Sequence, residues 1–299
     1  MKITVIGEAN IDISVVPQGN GTSLGCTPAR IRFHHGGVAR NIAHNLSLLG
    51  HQVSLMTILG GDDFAQGMAD ECRSLGIDLS LSSVFAQEQS PIFLSFNDET
   101  GNMQSAHSDV GLNDRMDLDW LAPKMDDIDR AEIVVADTLL TSDALAHLID
   151  HCEAPLYLDA VSPKRAVRII EALEKSKKKT LFALKCNLGE AQAMTGENDA
   201  FESYKTLNNK GISNVFLTMG SNGAIYCTEN KPVLFPSLPV EVVNVTGSGD
   251  AFFAGVIHAH ASGLGGKEAV EWGLKAAQHN IKSGTPVHPE LRPSLFKIF

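Results

Sequence analysis

The chain has 299 residues, 43% hydrophobic and 20% charged, a globular make-up rather than a disordered or fibrous one. Its 24 Lys plus Arg against 35 Asp plus Glu give a net charge of −11, spread along the sequence, which argues against nucleic acid or an anionic membrane as partner. A small anionic ligand stays open, because backbone amides at a helix start can hold phosphate on an acidic protein.

Short apolar runs at 3–7, 53–59, 133–136, 156–158, 181–183 and 215–219 predict buried strands. Amphipathic stretches at 38–49, 64–75, 142–152, 163–173, 188–195 and 201–211 predict helices, several starting at Ser or Pro or ending at Gly. Strands alternating with helices of this length imply an α/β fold: a mostly parallel central sheet with helices on both faces. Residues 1–299 read as a single domain. Two segments, about 11–35 and 90–110, break the rhythm with turn clusters at Pro17–Gly21 and Asn97–Gly101 between extended stretches. They form either a small β-sheet lid over the main sheet or two unrelated surface hairpins. Further on, Gly220–Gly223 turns into a strand at 224–228, the glycine-rich 246–249 opens a helix to about His260, and a last helix covers 267–282.

Five widely spaced cysteines without a C-x-x-C pair argue against a disulfide framework or zinc site and suit a reducing cytoplasm, the expected location. The N-terminus leads straight into a strand pattern without a signal-peptide core, and no run of about 18 apolar residues is long enough for a membrane span. His258 with His260, and His34 with His35, do not share a helix face, so no metal pair is expected from them.

The most informative stretch is Asn244-Val245-Thr246-Gly247-Ser248-Gly249-Asp250-Ala251-Phe252. Two glycines around a serine let successive backbone N–H groups face one spot, and the helix that follows adds its dipole to an anion hole. Asp250 in the first turn admits two readings: a helix cap, or a carboxylate placed to take the proton of a hydroxyl attacking the bound phosphate. These residues resemble the C-terminal signature of the ribokinase-like (phosphofructokinase B) family of carbohydrate and nucleoside kinases. The resemblance implies Asp250 as catalytic base, with Gly247, Ser248 and Gly249 stabilising the transferred phosphate.

A second block, His34-His35-Gly36-Gly37-Val38-Ala39-Arg40-Asn41, is similar to the family's N-terminal signature and implies Gly36, Gly37 and Asn41 at the sugar. In Gly7-Glu8-Ala9-Asn10-Ile11-Asp12, Asp12 would hold ribose hydroxyls with Asn10 beside it; taken alone, Asp12 is equally a turn residue. The resemblance further implies Asp137 as a substrate contact; in the lid stretch Ala106-His107-Ser108-Asp109, where a base would be read, Asp109 reads as a contact or equally as a turn residue. On the nucleotide side it implies Asn187, Thr218, Gly220, Gly223, Thr246 and Asn280 as contacts of ATP. Asn187 and Glu190 of the Asn-x-x-Glu motif would organise Mg²⁺ and its waters, and they also read as an N-capped helix with a capping-box glutamate. Asn244 stands where the family often has an aspartate that helps bind K⁺.

Within the family, Gly36-Gly37-Val38-Ala39-Arg40-Asn41-Ile42-Ala43-His44-Asn45-Leu46 resembles pseudouridine kinases most. The expected reaction is transfer of the ATP γ-phosphate to the 5′-hydroxyl of pseudouridine. The alternatives are a purine nucleoside or free ribose as acceptor, or a non-catalytic sensing protein on the same fold. Ribokinases usually carry a glutamate where Leu139 stands, which weakens free ribose. A homodimer joined through the lids is the expected assembly, since a small open sheet exposes its edges.

Overall fold

The computed structural model describes residues 1–19, 26–99, 103–228 and 231–296. Both expected turn clusters fall partly outside these, at Asn20–Gly21 and Thr100–Gly101. In chain order the elements are β1 (Lys2–Ile6), β2 (Asn10–Pro17), β3 (Ala29–Gly36), α1 (Val38–Leu48), β4 (Gln52–Met56), β5 (Ile58–Gly60) and α2 (Asp63–Ser74). Then come β6 (Ser83–Phe85), β7 (Ile92–Asn97), β8 (Met103–Asp109), α3 (Leu118–Leu121), α4 (Met125–Ile128), β9 (Ile133–Asp137), α5 (Ser142–His151), β10 (Leu156–Asp159) and α6 (Pro163–Lys175). The chain closes with β11 (Leu181–Asn187), α7 (Leu188–Thr195), α8 (Ala200–Asn209), β12 (Ile212–Thr218), β13 (Ala224–Thr228), β14 (Lys231–Phe235), α9 (Ser248–Ala261) and α10 (Gly266–Asn280).

Eight strands make the main sheet, in the order β14-β13-β12-β11-β10-β9-β1-β4. The six from β12 to β4 are parallel, and β13 and β14 add an antiparallel edge. The two-residue side-chain period feeds two separate cores. Val134, Ala136 and Leu158 point into the layer under α5–α8, while Ile3, Val5, Val135 and Tyr157 point to the layer under α1, α2, α9 and α10. Helix α9 is buried from Asp250 to Ala259, as expected for a helix apolar on every side. Burying Phe252 or Phe253 there contributes about 1.5–3 kcal/mol each. That burial anchors the start of α9 against the sheet.

The expected strand at 53–59 is two strands. β4 pairs with β1 in the main sheet, whereas β5 pairs with β6 in a separate two-stranded sheet. The chain leaves the main sheet at Thr57, whose amide donates to Ser82 Oγ (3.1 Å) and whose carbonyl accepts from Ser83 N (2.9 Å). The run 181–183 extends to Asn187, which carries Lys185 and Asn187 to the sheet's C-terminal edge. The short helices α3 and α4 had no periodic signal, being only four residues each.

The two irregular segments come together in a second, four-stranded sheet ordered β3-β2-β7-β8. It leaves the main body where β1 ends and returns through α1, so its inner strands begin beside the C-terminal ends of β1 and β9. No described helix is long and apolar enough to cross a membrane.

Candidate active site

The acceptor side is built on the loop after β1. Asp137, at the end of β9, accepts from the amides of Glu8 (2.7 Å) and Leu139 (2.9 Å), and it is fully buried. Its carboxyl thus ties two loops together at the end of β9. Beyond the loop, Asn10 Nδ2 donates to Asp12 Oδ1 (3.1 Å). Burial raises the Asp12 carboxyl to about 6. A Cβ on Gly36 would overlap that carboxylate. Gly37 has φ 94° and a Cβ there would overlap the Glu8 carbonyl, so only glycine lets the backbone close this floor. Asp109 lies one residue away from the position that lines up with Asp12. Register aligns Asp12 with Phe93 and Ser108, but Asp109 with Ile92 and Ile11 on the opposite face, where it is exposed.

Asp250 stands between the acceptor side and the nucleotide side. It occupies the third position of α9 and makes no capping bond; the N-cap is Gly247, at φ 75°. A Cβ on Gly247 would overlap the Pro286 carbonyl. The Asp250 Oδ2 accepts from Asn41 Nδ2 at 2.9 Å. Arg40 sets that orientation by donating from Nη1 to Asn41 Oδ1 (3.1 Å) and from Nη2 to Glu71 Oε2 (2.6 Å). Asn41 thus holds the candidate base. Burial raises Asp250 to about 7, with Lys185 and the Asn41 bond opposing and Asp159 and Asp12 adding to the rise. A carboxyl poised near the working pH suits proton abstraction.

Lys185 is 7% exposed and lies 3.1 Å from the buried Asp159 Oδ2. Burial works against its charge, but Asp159, Glu190 and Asp250 outweigh it and hold the ammonium above the ordinary lysine range. Its Nζ would sit 3.1 Å from a Cβ on Gly249, which puts a fixed cation against the helix start. Among the loop amides, Ser248 N donates to Val245 O (3.2 Å). Its amide is therefore engaged inside the loop, and the expected anion contact shifts towards Gly249.

A groove of about 580 Å³ opens on the far side of that loop. Lys185, Asn187, Thr218, Gly220, Gly223, Ser248 and Gly249 line one end, and Val242, Val245, Leu274, Ala277 and Ile281 line the other. Phosphate-binding chemistry thus meets an apolar slot fit for a flat ring. Asn280 is not part of it. Its Nδ2 donates to Thr246 O (3.1 Å) and its Oδ1 accepts from His288 N (2.9 Å), so it braces the loop from behind. Asn244 Oδ1 accepts from Thr246 N (3.0 Å), and Thr246 too is held inside the loop by these bonds.

Asn187 and Glu190 form the full capping box of α7: Glu190 accepts from Asn187 N and Nδ2 (2.7 Å each), and Asn187 Oδ1 accepts from Glu190 N (3.0 Å). Burial raises the Glu190 carboxyl, against Lys185. With these oxygens engaged in the capping box, Asn187 and Glu190 would meet a metal through its waters, Asn187 from the groove wall. The residues sequence reasoning passed over are Arg40, Lys185, Asp159 and Glu8. For Lys185, a lone charge in an apolar strand was the available signal.

The arrangement offers an anion-binding helix start, a buried lysine, a carboxylate that takes up protons near neutrality and a floor of two glycines. That set can position a hydroxyl for in-line attack on a phosphate. Residues 1–291 match the pfkB family carbohydrate kinase family. The chain is 30% identical to pseudouridine kinase of Escherichia coli (strain K12) over 297 residues, covering 97% of this chain and 93% of that one. Its fold superposes on a carbohydrate kinase from Agrobacterium tumefaciens with a TM-score of 0.85, at 28% identity, covering 99% and 95% of the two chains. It also superposes on Arabidopsis thaliana ribokinase complexed with ribose and ATP, with a TM-score of 0.81 at 20% identity and 99% of each chain. The chain therefore belongs to the pfkB family of carbohydrate kinases, as a ribokinase-like phosphotransferase whose acceptor is an alcohol group of a sugar or nucleoside.

Proposed function

We propose that this kinase phosphorylates the 5′-hydroxyl of pseudouridine. The observation that carries the transfer chemistry is Asp250, buried at a helix start between Asn41 and Lys185; the full-length similarity to a pseudouridine kinase supports the choice of nucleoside. In this reading Asp12 and Asn10 receive the ribose hydroxyls over Gly36 and Gly37, and Asp250 takes the 5′-hydroxyl proton. The Gly249 amide and Lys185 stabilise the charge on the transferring phosphate. ATP lies with its phosphates by Asn187, Thr218, Gly220 and Gly223 and its ring between Val242, Val245 and Leu274. Magnesium, when bound with ATP, supplies further neutralisation of phosphate charge, and Asn187, backed by Glu190, would face its waters.

The small sheet acts as a lid that closes over the acceptor and excludes water. Its exposed Ile31, Phe33 and Met103 support a homodimer joined through the lids. A cytoplasmic location goes with this chemistry, since ATP is the donor. ADP release measured with ATP and a panel of pseudouridine, uridine, inosine, adenosine and ribose tests the reading. The highest kcat/KM is expected on pseudouridine; a higher value on inosine, adenosine or ribose overturns the substrate.

A further inference from the structure

A cluster that the transfer step does not use lies at the acceptor side, where the small sheet joins the main one. Glu8 follows β1, and its Oε1 lies 3.4 Å from Asn113 Nδ2. Asn113 is 1% exposed and sits in the short 3₁₀ turn Gly111–Arg115 directly after β8. Among the described residues its Oδ1 has no hydrogen-bond partner, and neither has the Oδ1 of Asn10. Unmatched buried amide oxygens are unusual, because folded chains pair such atoms. The charged groups around Glu8 are Asp137, Arg165, Asp12 and Asp250, and burial together with Asp137 raises its carboxyl to about 8. Near neutral pH Glu8 therefore carries a proton it can donate, beside oxygens that can only accept.

In the reading above Asp12 and Asn10 meet the hydroxyls of a ribose, so the Glu8 proton and the Asn113 Oδ1 acceptor have no sugar group left to match. They complement a ring N–H beside a carbonyl. We propose that Glu8 and Asn113 read such an edge on the base carried by the ribose and are the specificity-determining pair of this kinase. This rests on the nucleoside reading above. Pseudouridine offers the edge twice, since it has N1–H where uridine has C5–H, in addition to N3–H. Cytidine offers no ring N–H at all.

The test compares wild type, E8A, E8Q and N113A on pseudouridine, cytidine and free ribose, with folding followed by thermal melts. E8A and N113A are expected to raise KM for pseudouridine about 10–100-fold with a much smaller change in kcat, the loss of one or two buried hydrogen bonds. The loss on ribose, which has no base, is expected to be much smaller. E8Q keeps one donor and one acceptor and is expected to recover most of the affinity. Equal losses on ribose and nucleoside would mean that the pair only holds the loop, and would overturn the proposal. Wild-type KM for pseudouridine in both alanine variants overturns this proposal alone. Activity on ribose with none on any nucleoside overturns the nucleoside reading as well. Should E8A fail to fold, N113A decides by the same criteria.

Discussion

Replacing Asp250 with Asn removes the carboxylate and almost nothing else. The amide oxygen can still accept from Asn41 Nδ2, now 2.9 Å from Asp250 Oδ2, and Lys185 keeps Asp159 at 3.1 Å. The lost function is proton abstraction, which in general-base catalysis is worth about 10²–10⁴ in rate, or roughly 3–5.5 kcal/mol of barrier. Stability should move the other way. Burial raises Asp250 to about 7, so the folded chain disfavours the charged form above that pH, and a neutral amide removes the penalty. At pH 8, with saturating ATP and acceptor, ADP release should fall by two to four decades, roughly the range just given, while KM for ATP and the melting temperature hold or improve. Wild-type kcat/KM should fall below about pH 7, as the carboxyl takes up its proton. That acid limb should vanish in the variant. Turnover close to wild type, or an unchanged acid limb, refutes Asp250 as the base.

Other consequences follow from its neighbours. Asn41→Ala removes a bond that lowers Asp250, so the acid limb of kcat/KM should move to higher pH; an unmoved limb would show that Asn41 does not act through Asp250. Lys185→Met leaves the buried Asp159 unpaired, a cost of about 3–5 kcal/mol. Adding Asp159→Asn should restore the melting temperature but not turnover, and recovery of both would reduce Lys185 to a structural ion pair. Because Asn280 and Asn244 already satisfy Thr246 inside the loop, exchanging K⁺ for tetramethylammonium should leave kcat unchanged. Strong activation by K⁺ would contradict that bracing.

The sequence by itself determined the layers and singled out Asp250, with a helix cap and a base both open. Apolar strand runs separated by amphipathic helices leave few folds besides a covered parallel sheet, because periodicity and element length are local properties. Glycines at 37 and 247 were equally legible, since a left-handed backbone at a crowded turn admits little else. Tertiary structure alone decided which way each side chain faces. Asp109 and Ser108 are adjacent in sequence, yet strand register puts only Ser108 in line with Asp12. The sequence singles out Asp137 and Asn280 as binding residues, and only the fold shows the partners they hold, 129 and 34 positions away. The same holds for Asp250. Its loop composition allowed a cap or a base, and the base we propose rests on Asn41, 209 residues distant, and on a buried lysine. Long-range hydrogen bonds and desolvation set the proton affinity of a carboxylate, and neither can be read along the chain.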